Sequence, residues 1–401
     1  MPISTDRIRA DIQAIARFTD TPGAGASRPT FSNSWRQARD YVIDQAQRAG
    51  CAVRIDAFGN VHVRPQKLAW DAPAWLCGSH IDSVPHGGDY DGVTGIVVPL
   101  EILRADNSVP LELIIFAEEE GTTFGLGMLG SRAWVGDLSS EKLAEIRNKS
   151  GENYLQAGAK HGVDANAFER DRLVASHYRG LIEVHIEQGP GMWNKDQRIA
   201  IVRAIAGRKQ YHCTLRGVAN HAGSTSMHDR KDALVGAATL ILQYEGLARG
   251  ILTEAVMTVG KIICKPNAVN VIPDEVEFTI DFRAPDNEVL ADGHQRILDQ
   301  SHAVATKRGL TIDIIQTEDQ SAVAMDSTIC GTLMEKATKH LGTAASSAIS
   351  GALHDSAILA PHLPTAMLFV PSKDGISHNP AEFSRVEDIA LAAKIVYDTV
   401  K

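Results

Sequence analysis

The sequence predicts an α/β protein of two parts. The larger is a domain with a largely parallel mixed sheet flanked by helices. The smaller is an inserted two-layer α+β module with the strand-helix-strand-strand-helix-strand order of ferredoxin-like folds. Three observations predict this. The chain has 401 residues, more than one hydrophobic core efficiently serves. Apolar stretches of strand length interleave with helical stretches over the first half, as in sheets joined by helical crossovers. After "IAGRK" the chain changes to long, strictly alternating strands, and near residue 323 it changes back. The expected domains are therefore 1–208 with 323–401, and the insert 209–322.

The elements follow in order. "FSNSWRQARDYVIDQAQRAG" reads as an amphipathic helix with Ser or Asn near its start and Gly50 as its stop. Strands are expected at 51–57, 59–65, around 73–79, 111–117 and 181–186, with helices at 92–104 and 127–136 between them. In the insert, 209–216 places Tyr211, Cys213 and Leu215 on one face, and 275–283 does the same for Val276, Phe278, Ile280 and Phe282. Helices near 230–249 and 286–307 and the strand "LTIDIIQ" complete it. A helix, a strand and the final helix "RVEDIALAAKIVYDTV" return the chain to the first domain.

Composition excludes several functions. With 44% hydrophobic and 22% charged residues the chain is that of an ordinary soluble globular protein. A net charge of −9 without a basic cluster argues against nucleic acid as a partner. No apolar segment approaches the ~20 residues that cross a bilayer, so no membrane partner is expected. The start, "MPISTDRIRADIQAIARF", has no apolar core of a signal peptide and carries Asp, unlike a transit peptide. Cys51, Cys77, Cys213, Cys264 and Cys330 are scattered and without CxxC spacing, as reduced thiols in a cytoplasmic protein would be.

The chemistry gathers in four stretches. "CGSHIDSVPHGGDYDGVTG" sets His80 and Asp82 two apart after a strand, sharing a face in extended chain, so the Asp82 carboxylate could receive the second imidazole N–H. Asp91 follows in a turn with Gly87, Gly88, Gly92 and Gly95. "LELIIFAEEEGTTFG" ends a strand in Glu118, Glu119 and Glu120, "LIEVHIEQGPG" holds His185 within a strand, and "PSKDGISHNPAEF" holds His378 in a loop. Each feature has a bland alternative. Charge runs usually sit in water, glycines serve turns, and a lone histidine is more often a hydrogen-bonded bystander. Most of the 15 histidines must be bystanders, among them His62, His161, His177, His228, His302 and His340. The joint pattern is harder to dismiss, because all these groups fall at strand ends, where open α/β sheets place ligands. Imidazole and carboxylate without thiolate suit Zn²⁺ or Mn²⁺, and one bridging carboxylate supports a pair of ions.

The chain resembles the M20-type metallopeptidase and amidohydrolase superfamily. Within it, the similarity is to the branch of N-carbamoyl-L-amino acid hydrolases, allantoate amidohydrolases and ureidopropionases. The resemblance spans nearly the whole chain and rests on "GSHIDSVPHGGDYDG", "EEEG", "GLIEVHIEQGP", "IAGR", "HAGSTSMHDRKDAL", "PNAVNVIPDEVEFTIDFR", "SGALHDSA" and "PSKDGISHNPAEF" in order. It implies two divalent ions (Zn²⁺ or Mn²⁺, with Co²⁺ or Ni²⁺ as other occupants) bridged by Asp91. His80 and His185 would complete one, Glu120 and His378 the other. Glu119 would be the acid–base, Asp82 would orient His80, and Glu118 would be a bystander or a supporting acid. His221 would stabilise the oxyanion, and Asn270, Arg283, Gln188 and His354 would contact a small carboxylate-bearing substrate. Arg283 lies on the polar face of its strand, where its guanidinium would be free to fork a carboxylate. The implied reaction is hydrolysis of a linear ureido or amide bond, giving amino acid, CO₂ and ammonia. The implied assembly is a homodimer through the insert, which would also act as a lid.

Two other readings compete. One is a dipeptidase or aminoacylase of the same superfamily, which more often has an acid at the place of His185. The other is a catalytically idle metal-binding scaffold, which would have no use for Glu119 beside a ligand. Three positions depart from the carbamoylase pattern: Thr123 stands for an Arg, Ser226 for a Pro, and Leu353 for a small residue. They point to a less charged or differently shaped substrate pocket.

Overall fold

Four strands are buried along almost their whole length: Ala74–His80, Leu111–Phe116, Tyr178–Ile186 and Thr365–Val370. Near-continuous apolar runs of this kind belong to a parallel sheet covered on both faces. The computed structural model describes residues 2–251 and 254–401, and divides them into one unit, Met1–Arg203 with Met325–Lys401, and a second, Ala204–Ala324.

In the first unit the four strands pair in parallel in the order Thr365–Val370, Tyr178–Ile186, Ala74–His80, Leu111–Phe116. Antiparallel neighbours extend both sides: Ala200–Ile205 beside Thr365–Val370, and Val61–Pro65 then Cys51–Ile55 beside Leu111–Phe116. The result is a mixed sheet. Helix Val93–Ala105 has only Arg104 outside the buried set, and its core cluster includes Val386–Val400 and the sheet. Gly95 permits this close approach, because a Cβ there would lie 2.5 Å from Ser79 Cβ.

Two local expectations change, and one helix adds to those expected. The start of the chain is helix Thr5–Ala16, capped by the Ser4 hydroxyl, with Ile8, Ile12 and Ile15 buried one turn apart. The apolar residues are too spread to form a run but lie on one helical face. The strands expected at 51–57 and 59–65 are shorter, because Asp56 Oδ1 accepts the amides of Phe58 and Asn60 and closes a turn between them. The helix expected at 127–136 begins at Leu129, after Met128 in left-handed conformation.

The second unit is an antiparallel sheet. Its order is an edge of two short strands, Val256–Thr258 and Ile262–Lys265, then Glu275–Ala284, Gly207–Arg216 and Thr311–Gln320. Tyr211, Cys213, Leu215, Val276, Phe278, Ile280 and Phe282 form one core with Leu240, Tyr244, Leu290 and Ile297 of helices Ala233–Ile251 and Asn287–Arg308. The edge comes in two pieces and leaves Val256, Ile262 and Ile263 exposed, which is why no buried alternation marks it. All five cysteines are free thiols. Among the described residues no helix is long and apolar enough to cross a membrane.

Candidate metal centre

The carboxyl ends of the four parallel strands carry the candidate residues. His80 closes its strand, His185 is the last but one of its own, and Glu118–Glu120 and His378 lie in the loops after Leu111–Phe116 and Thr365–Val370. Asp91 precedes helix Val93–Ala105, whose N-cap Gly92 has φ 65°. A Cβ on Gly92 would lie 2.5 Å from the His80 ring. Only glycine accepts both that backbone and that contact. Glu118 (φ 58°), Gln188 (φ 58°) and His378 (φ 54°) are also left-handed. Strain of this kind concentrates where surrounding structure fixes a functional geometry.

Asp91 is the hub. Its Oδ1 lies 3.5 Å from His80 Nε2 and 3.2 Å from His185 Nε2, and its Oδ2 lies 3.3 Å from His378 Nε2. His378 Nε2 is 3.7 Å from Glu120 Oε2, and His80 Nε2 is 3.7 Å from Glu119 Oε2. The second ring nitrogens are occupied, since His80 Nδ1 bonds the Asp82 carbonyl at 3.0 Å and His185 Nδ1 the Ile186 carbonyl at 2.9 Å. Those bonds set the tautomer and turn each Nε2 inward.

Among the described residues Glu183, His185 and His354 have ligand atoms close enough to share an ion, and so do two further sets: His80, Asp91 and His185, and Asp91, Glu120 and His378. The latter two share Asp91, so one carboxylate can bridge two ions. The donor set fits the group in a second respect. His185 Nε2 and Glu120 Oε1 are buried atoms without a hydrogen-bond partner, which native interiors rarely leave so. Among the described residues no Lys or Arg forms an ion pair with Asp82, Asp91, Glu118, Glu119 or Glu120.

The electrostatics follow from that excess of acid. Burial pushes the Glu119 carboxyl up, His80 opposes, and Glu120, Asp355 and Asp82 add to it, leaving it well above its usual range. Burial and Asp91 push Glu120 to about 7. Burial would raise Asp91 as well, but the imidazoles of His185, His378 and His80 facing its carboxylate hold it well below normal. Burial pulls the His80 imidazolium down, yet Glu119, Asp91 and Asp82 outweigh it and raise it well above 6.5.

The structure corrects the roles of Asp82 and Arg283 and makes Glu118 a supporting acid. The carboxylate of Asp82 does not take the His80 N–H. The main-chain carbonyl does, while the Asp82 Oδ1 stays 3.8 Å away and Oδ2 accepts the Glu120 amide at 3.1 Å. Asp82 therefore ties the His80 strand end to the glutamate loop. Glu118 is fully buried, and its Oε1 accepts the amides of Thr123 and Phe124, so it shapes the loop. Arg283 is not free, because its Nε donates to Asp281 Oδ1 at 2.8 Å within its own strand. Asp281 stands two residues away on the same face, which the strand period alone would have shown.

The remaining candidates divide by unit. Gln188 Nε2 donates to Asp91 Oδ2 at 2.8 Å, so it holds the hub. His354 is buried with its ring 4.4 Å from that of His185, and its Nε2 meets Ser350 Oγ at 2.8 Å. In the second unit, Ala222 N donates to Asn270 O and His221 bridges Val271, which brings His221 and Asn270 onto adjoining segments. His221 Nδ1 accepts the amides of Gly223 (3.0 Å) and Ser224 (3.2 Å), so the ring proton sits on the exposed Nε2. Sequence reasoning missed Ser377 and Glu382. Ser377 Oγ donates to Asp91 Oδ2 (3.2 Å) and Glu382 Oε1 (2.9 Å), and Glu382 Oε2 accepts the amides of Tyr90 and Asp91. Their signal was position: both flank His378 in "GISHNPAEF".

Known proteins are similar to this chain over nearly its whole length. The profile of peptidase family M20/M25/M40 matches residues 76–401. The chain is similar to the N-carbamoyl-L-amino acid amidohydrolase of Geobacillus stearothermophilus, 34% identical over 404 residues covering 99% of this chain and 98% of the relative. It is also similar to the allantoate amidohydrolase of Escherichia coli, 32% identical over 388 residues covering 95% and 93%. The crystal structure of an amidase of the hydantoinase/carbamoylase family from Burkholderia multivorans superposes with a TM-score of 0.91 at 31% identity, covering 100% of this chain and 97% of that one. By these matches the chain belongs to peptidase family M20/M25/M40.

Proposed function

We propose that the chain is a metal-dependent amidohydrolase cleaving a linear ureido or amide C–N bond, with an N-carbamoyl-L-amino acid, allantoate or a related ureido acid as substrate. The observation that carries it is the hub: one buried carboxylate, Asp91, shared by two candidate ligand sets with a spare acid, Glu119, beside them. His80, His185 and Asp91 would hold one divalent ion, and Asp91, Glu120 and His378 the other. Zn²⁺ or Mn²⁺ suits these donors, and Co²⁺ or Ni²⁺ is compatible. Bound there, such ions lower the pKa of water toward ~7 and polarise the scissile carbonyl.

The residues supply the rest. Glu119 has a raised proton affinity because it is buried among other acids. It would take the proton from the attacking water at its carboxylate and deliver it to the leaving nitrogen. The exposed Nε2–H of His221 is available to a developing oxyanion, where one donor contributes about 2.7–4 kcal/mol. Asn270 would bind the substrate carboxylate, and Arg283 would do so by exchanging or sharing Asp281. The products from a carbamoyl substrate are an amino acid, CO₂ and ammonia. The second unit is proposed as the dimerisation and lid module of a cytoplasmic enzyme. Support for the dimer is local: Val256, Ile262 and Ile263 lie exposed on the edge strands. The test is ammonia release from N-carbamoyl-L-amino acids, allantoate, ureidoglycolate and dipeptides, with each metal restored to chelated protein. Release from a ureido substrate is expected. Cleavage of dipeptides alone would overturn the reading.

A further inference from the structure

Among the described residues Arg28 is the one buried arginine without a paired carboxylate. Arg39 pairs with Asp40 and Arg64 with Glu112, whereas the guanidinium of Arg28, 1% exposed, donates only to main-chain carbonyls. Its Nε bonds Ile81 O, and its Nη1 bonds Ile15 O and Phe18 O. Nη2 has no hydrogen-bond partner among the described residues, and no carboxylate lies in ion-pair range of the side chain. Burial pulls the guanidinium to about 10, against the more distant charges of Asp89 and Asp82. Neutral carbonyls solvate a buried cation without cancelling its charge, and a charge left so in the interior is unfavourable.

Arg28 lines a cleft of 250 Å³ whose walls carry no acid. That is notable in a chain of net charge −9. Besides Arg28 the lining includes Lys149, Asn148, Thr122, Thr123 and Ser83. Among the described residues Lys149 forms no ion pair and the Thr122 hydroxyl no hydrogen bond. The Asn148 Oδ1 is spent on the amides of Ser150 and Glu152, which leaves its NH₂ free. The lining of one cleft thus carries two cations and two neutral donor groups and no acid. The cleft also adjoins the metal centre through the chain, since Ser83 follows Asp82 and Thr122 comes two residues after Glu120.

We propose that this cleft is an anion subsite that takes a carboxylate or phosphate group, with Arg28 Nη2 and Lys149 as its charges and Asn148 and Thr122 as its neutral donors. Paired N–H groups of a guanidinium match either anion. The group can come from a free anion or from a second, distal carboxylate on the substrate. The second source rests on the amidohydrolase reading.

The test is titration calorimetry of inorganic phosphate into the full-length, metal-loaded protein and into the same protein after chelation. Wild type is compared with Lys149→Glu and Thr122→Glu, both at solvent-accessible wall positions, with circular dichroism confirming the fold. One phosphate per chain is expected, bound in both metal states and weakened at least about tenfold in each variant, as is usual for a lost charged partner. No saturable binding at millimolar phosphate overturns the proposal. So does binding that vanishes with the metals or is equal in all three proteins. The source is then read from kcat/KM for N-carbamoyl-L-aspartate relative to N-carbamoyl-L-alanine. A fall in that ratio in Lys149→Glu assigns the subsite to the substrate's distal carboxylate, and an unchanged ratio with weakened phosphate assigns it to a free anion. Turnover of no ureido substrate in the panel above removes the amidohydrolase reading and leaves the phosphate result standing.

Discussion

The first unit holds two buried clusters of histidine and carboxylate, and only one of them is built to receive something. In the first, His62 meets Glu112 Oε1 at 2.6 Å and Asp56 Oδ2 at 3.1 Å, Arg64 pairs with the other Glu112 oxygen, and Tyr178 Oη donates to Glu112. Asp56 further accepts from Phe58, Asn60 N and Asn60 Nδ2. Even Arg64 Nη2, which lacks a hydrogen bond, belongs to a guanidinium stacked near Trp70 and Tyr178. This cluster brings its own cation. The second cluster, around Asp91, has more acids, no Lys or Arg partner, and orphaned atoms at His185 and Glu120. Residue types alone do not separate a structural network from a metal site. The balance of charge and the presence of unspent donors do.

The largest break in that comparison is Glu119→Gln. Glu119 is the spare acid of the open cluster, so turnover should fall by about 10²–10⁴ while metal content by mass spectrometry stays at the wild-type level. An active variant would remove Glu119 from the chemistry. In the closed cluster, Glu112→Ala strands Arg64 in the interior and should destabilise the fold by about 3–5 kcal/mol. The folded fraction should still bind the wild-type amount of metal, and a loss of metal there would mean that the two clusters are not independent.

Gly92→Ala is the next smaller effect. The added Cβ would press on the His80 ring, and a displaced ligand should weaken metal affinity by about 10–100-fold, measured by competition with a chelator. Unchanged affinity would show that the ring yields at no cost. The smallest effect is a pH slope from the closed cluster. Burial opposes the His62 imidazolium, but Asp56 and Glu112 raise it above 6.5. Its stabilisation is therefore complete below pH 6.5 and is lost as pH rises through the raised value. Burial opposes ionisation of Glu112 too, but His62 and Arg64 hold it below 4.5, so its share is complete above pH 4.5 and is lost as pH falls through the lowered value. The cluster stabilises most between them. His62→Gln should flatten the alkaline decline in Tm relative to wild type, and an identical slope would assign the decline to other groups.

The candidate ligand positions were legible in the sequence because they follow strand ends. His80, His185 and the glutamate run each sit where an apolar stretch stops, and His378 follows "AMLFV". The two clusters were not separable there, because His62 and His80 both occupy apolar strands. Arg64, which closes one, is linked to Glu112 only across 48 residues. The same limit explains Glu382, which reaches Asp91 N across 291 residues. Helix Thr5–Ala16 was hidden for a different reason: its apolar residues form a stripe and not a run. Arg283 and Asp281 show the opposite case, a contact written plainly in the strand period.

The central claim is that Asp91 joins two ion sites in one cluster. It is tested most directly by titrating divalent metal into chelated full-length protein and counting ions per chain, in wild type and in Asp91→Asn. The account predicts two ions per chain in wild type and loss of both in the variant. A single ion in wild type, or two retained without the Asp91 carboxylate, would contradict it.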